Sequence, residues 1–148
     1  MVLNRDASLT LRIVASAGAT AFGLTVLVET LFGKLPSEYA WQASELAAAA
    51  IVSAGALSRW FLRAALIQKS LWRCLAIASV GLLIVYPIFA ALHALLTDGA
   101  RSVSEVAGAG KVVSVFAIFS APIAWPVTLL LAWLWYRRIG QNVNGRAS

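Results

Sequence analysis

The chain has 148 residues, 61% of them hydrophobic and only 12% charged, where soluble domains sit at roughly half and a quarter. So little polar material cannot keep a chain of this size dispersed in water, which excludes an ordinary soluble domain. A net charge of +6 would point to nucleic acid in a soluble protein, and a single cysteine, Cys74, excludes an intrachain disulfide.

The first apolar segment runs from about Leu11 to Phe32. Ala15-Ser16-Ala17 resembles a signal cleavage site, but the apolar run continues well past the roughly 7–15 residues of a signal core, so a retained helix is expected. The segment is crowded with small residues, and Gly18, Ala19 and Gly23 are candidate packing positions; Ala19 and Gly23 form a small-x-x-x-small pair. Glu29 falls about a turn inside the outer end. An ionisable group within a span is a functional candidate by default. Its commoner role this close to the end is to reach the headgroups or to pair with Lys34.

The second segment, about Ala40 to Ile67, has an uncharged centre from Leu46 to Ser58, 13 residues and short of a full span. It crosses only if Glu45 and Arg59 lie near the two interfaces and reach outward. Ala50 and Ala54 make another small pair, with Gly55 beside them. Arg59 and Arg63 lie four apart on one face at the inner end, where long basic side chains snorkel to anionic lipid or meet an acidic partner.

The third segment, about Leu71 to Leu96, contains 22 residues from Leu75 onward without Asp, Glu, Lys or Arg, enough to cross about 30 Å of hydrocarbon as a helix. Pro87 predicts a kink. His93, near the outer end, is the only histidine: it cannot supply two axial haem ligands in one chain, and no zinc-like spacing surrounds it. No cofactor or metal is expected. The fourth segment, about Val112 to Tyr136, follows the one sizeable loop, Thr97 to Lys111. It carries Pro122 and Pro126, ordinary kinking residues in membrane helices that in transporters can expose carbonyls. Trp125 is expected to be a packing residue.

None of these runs shows the polar alternation of a barrel, and helices satisfy every backbone group internally. Nine basic residues (Arg5, Arg12, Arg59, Arg63, Lys69, Arg73, Arg137, Arg138 and Arg146) fall on one side and Lys34, Arg101 and Lys111 on the other. By the positive-inside rule both termini and the middle connection are cytoplasmic, so the charge is first a topology signal. Tyr39 and Trp41 mark the outer boundary, and Trp60, Trp72, Trp133, Trp135 and Tyr136 the inner one. The expected fold is an all-α integral membrane protein, a four-helix transmembrane bundle in a bacterial inner membrane.

No phosphate loop, nucleophile elbow, paired-Cys motif or zinc-protease motif occurs. The expected function is therefore non-enzymatic: protein–protein interaction in the bilayer, as an accessory subunit or an immunity-type protein that blocks a toxin there. The alternative is an oligomeric small-molecule or ion transporter or channel, for which Glu29, His93 and the prolines speak. Expected partners are the bilayer and a membrane protein or further copies of the chain, with no nucleic acid.

Overall fold

Four helices form from the four apolar segments: α1 (Val2–Leu31), α2 (Pro36–Leu66), α3 (Leu71–Leu96) and α4 (Val103–Asn144). The structure is a computed structural model that describes residues 2–31, 33, 36–96, 99 and 102–144, with side chains described for 7–31, 33, 40–96, 99, 102–108, 110 and 120–141. Among the described residues there is no strand. Three stretches, Ala7–Leu31, Ala40–Leu66 and Leu71–Leu96, are long and apolar enough to cross a membrane, which makes this a multi-pass membrane protein. The second stretch qualifies despite its short uncharged centre.

The helices outrun the apolar segments that mark them. Helix α1 begins at Val2, not near Leu11, and Pro36 is the first residue of α2, a position where its missing N–H has no intrahelical partner to lose. The expected loop from Thr97 to Lys111 is mostly helix: α4 starts at Val103, and its 42 residues rise about 63 Å, twice the hydrocarbon thickness. Ser102-Val103-Ser104-Glu105 explains the early start. The Ser102 hydroxyl accepts the backbone N–H of Glu105 at 3.3 Å, and Glu105 stands where a capping box places its acid. Gly108 and Gly110 hide that cap when composition alone is read. Both α3 and α4 continue through their prolines, Pro87 in one and Pro122 and Pro126 in the other.

Packing follows chain order, α1 on α2, α2 on α3 and α3 on α4, with α2 touching α4 only lightly. Small residues set the closest approaches. A Cβ on Gly18 would lie 2.7 Å from Ile51 Cγ1, and one on Gly81 would lie 3.2 Å from Leu57 Cδ1. Beside Gly81, the Ser53 hydroxyl donates to its carbonyl across the α2–α3 interface at 2.8 Å. Two buried clusters result. One lies towards the α2–α3 connection around Ile13, Phe61, Cys74 and Ile139; the other holds Ala49, Ala50 and Val85. Large apolar side chains such as Val52, Leu83, Ile123 and Leu130 face outward. In water they would form patches that drive association, whereas in lipid they meet acyl chains. Trp125 belongs to this outward set at 44% exposure, contrary to the packing role expected for it.

The tight turn between α2 and α3 places Lys69 at φ +47°, and the hydroxyl of Tyr136 donates to the Lys69 carbonyl at 3.0 Å, tying the end of α4 to this turn.

Candidate functional site

Helices α1 and α4 do not pack along their length among the described residues, so the four-helix ring is left unclosed. Inside it lies a cavity of about 650 Å³, reaching from Ile13, Phe61 and Trp135 at one end to Glu29 at the other. All four helices line it. A volume in this range is that of a small-molecule or cofactor pocket. Its long side is the gap between α1 and α4, across which the Trp135 indole N–H donates to Ser16 Oγ at 2.8 Å.

Hydroxyl groups are scattered along the wall, yet most are turned to other partners. Ser16 donates to the Ile13 carbonyl, Thr25 to that of Ala21, Ser53 to that of Gly81 and Thr128 to that of Ala124. Tyr86 and Ser120 share a 2.8 Å hydrogen bond between α3 and α4. With their polar ends occupied, these residues present mainly carbon to the cavity. The lining is apolar in effect as well as in composition.

Glu29 lines this cavity and is only 7% exposed. Its side chain is therefore covered by the protein; pairing with Lys34 lies outside the described residues. The second interior carboxylate was not anticipated. Glu45, expected to reach the outer interface, is 4% exposed and meets His93 Nδ1 at 2.8 Å across the α2–α3 interface. The imidazole also stacks on Phe89 one turn earlier, with ring centroids 5.8 Å apart. A sequence signal for this pair did exist. Burying a carboxylate in a span demands a partner, and only one histidine stands at a comparable depth on the next helix.

The small-residue candidates divide into two sets. Gly18 and Ala50 are buried and Ala54 is half-buried, so they serve the interior packing of α1 and α2. Ala19, Gly23 and Gly55 are exposed, and a Cβ on either glycine would meet nothing within 4 Å. Arg59 and Arg63 are both exposed. Among the described residues no three His, Cys, Asp or Glu side chains gather as a metal site. Compared with known proteins, the chain matches no family model, no curated protein and no solved structure.

Proposed function

We propose that this chain is a four-span protein of a bacterial inner membrane, with both termini in the cytoplasm, that works without catalysis by binding another membrane protein. An accessory subunit or an immunity-type protein that blocks a toxin in the bilayer fits this reading. The observation that carries it is the outward stripe Ala15, Ala19 and Gly23 on α1, spaced by one turn and unused inside the bundle. Small side chains let a second helix approach closely enough for van der Waals contact to hold it, since lipid supplies no hydrophobic drive between helices. Gly18 already serves that purpose on the inner face, towards α2.

The test compares two glycines five residues apart. Gly23→Leu adds its bulk in open space, so the monomer is expected to fold while a complex on this face falls apart, at least tenfold in native mass spectrometry of gently extracted protein. Gly18→Leu drives a side chain into Ile51 and is expected to destabilise the bundle itself by about 1–3 kcal/mol. An unchanged partner complex in Gly23→Leu would sink the interaction reading on this face. A homo-oligomer as the sole species would favour the second reading, an oligomeric transporter, for which the buried Glu29 at the cavity wall is the supporting observation.

A further inference from the structure

The cavity between α1 and α4 is elongated. It follows α1 from Ile13 to Glu29, sixteen residue steps or about 24 Å at the helical rise. An extended hydrocarbon chain advances about 1.25 Å per carbon at 1.52 Å bonds and tetrahedral angles, so about 19 carbons span that length and a sixteen-carbon chain covers most of it.

The wall chemistry agrees with the shape. An ion or water path needs free polar groups at intervals. Here the hydroxyls of Ser16, Thr25, Ser53 and Thr128 donate to backbone carbonyls, and Tyr86 and Ser120 bond each other. Thr20 and Glu29 are the other polar side chains on a wall that offers mainly dispersion contact.

One end of the gap carries the opposite of a phosphate's charge. Arg12 precedes Ser16 by one turn on α1, and the Arg138 guanidinium lies 5.8 Å from the centroid of the Trp135 ring on α4. Both are exposed, and among the described residues neither is in an ion pair. Each thus stands about one turn along its helix from the residue that helix contributes to the Ser16–Trp135 hydrogen bond. The lining ends at its far end on the buried Glu29.

We infer that the cleft is a binding site for one acyl chain of an anionic phospholipid, its phosphate between Arg12 and Arg138 and its chain running towards Glu29 behind the Ser16–Trp135 bond. The chain completes a bundle that protein side chains leave open, and the indole hydrogen bond retains it.

The test uses the full chain reconstituted in bilayers with phosphatidylglycerol whose sixteen-carbon chain carries a diazirine near its middle. Photolysis is expected to label peptides from the cleft faces of α1 and α4 at least fivefold more than the outer α3 face bearing Val80 and Leu83. Filling the cleft with Ala54→Phe and Ala124→Phe together is expected to remove that excess. Ligand series keep the test independent of how well the filled variant folds. Unlabelled sixteen-carbon phosphatidylglycerol should compete at least tenfold better than the eight-carbon lipid, and threefold better than phosphatidylcholine of equal chain length. The headgroup difference should vanish in Arg12→Gln/Arg138→Gln. Equal labelling of cleft and outer face, a flat chain-length series, or a headgroup preference indifferent to the two arginines would overturn the assignment. So would recovery of a bound isoprenoid in place of phospholipid.

Discussion

At the scale of single residues, the pair Glu45–His93 shows how a bilayer changes the worth of a contact. In water a surface histidine–carboxylate pair is screened and contributes little. Here the carboxylate is 4% exposed and the imidazole is held by Phe89, so neither exchanges its partner freely for solvent. Interhelical polar contacts in membranes are nonetheless modest, between about 0.6 and 2 kcal/mol, because the unfolded segments also find partners in lipid. Glu45→Gln and His93→Gln are each expected to lower stability, with a coupling in that range in a double-mutant cycle read by unfolding in mild detergent. Strictly additive losses would mean that the 2.8 Å contact contributes nothing of its own.

At the scale of helices, three interfaces pack along their length among the described residues and that of α1 with α4 does not. Gly18 lets α1 reach α2, Ser53 and Gly81 join α2 to α3, and Tyr86 and Ser120 join α3 to α4. Between α4 and α1 the indole of Trp135 stands in for a packed interface. Trp135→Phe keeps much of the ring and removes the donor, a loss of about 0.6–2 kcal/mol on the same scale. That is enough to loosen two helices that do not pack along their length among the described residues. Spin labels on cysteines at the exposed positions 11 and 134, in a Cys74→Ala background, are expected to show a broader, longer distance distribution in Trp135→Phe. An unaltered distribution would mean that something other than this bond holds the two helices together.

At the scale of the whole molecule, charge and aromatic placement bear on orientation. The turn at Lys69 lies among Arg59, Arg63 and Arg73, and cation–π contacts set Arg137 on Trp133 and Arg138 on Trp135 at the same end of α4. A belt of Trp beneath Arg is what a cytoplasmic interface with anionic lipid favours. In the Cys74→Ala background, an impermeant maleimide added to intact cells is therefore expected to label Val103→Cys and to spare Gln68→Cys until the membrane is opened. The reverse pattern would invert the proposed topology.

What the sequence determined by itself was the class of molecule: a chain this apolar, in long uncharged runs, can satisfy its backbone in lipid only as helices, and segments such as Leu71–Leu96 could be bounded from hydropathy alone. Its reach ended where hydropathy carries no information. The polar start of α4 is set by a local cap at Ser102, and its glycines read as loop. Which small residues face inward and which outward depends on the rotation of each helix about its axis, so Gly18 and Gly23 look alike in sequence and do opposite things in the fold. Glu45 reads as an interfacial acid because its depth is legible in one dimension, whereas the approach of His93 from the next helix is not. The cleft was wholly a tertiary result. Among the described residues α1 and α4 do not pack along their length, and a missing contact between elements far apart in the chain leaves no mark on the residues of either one.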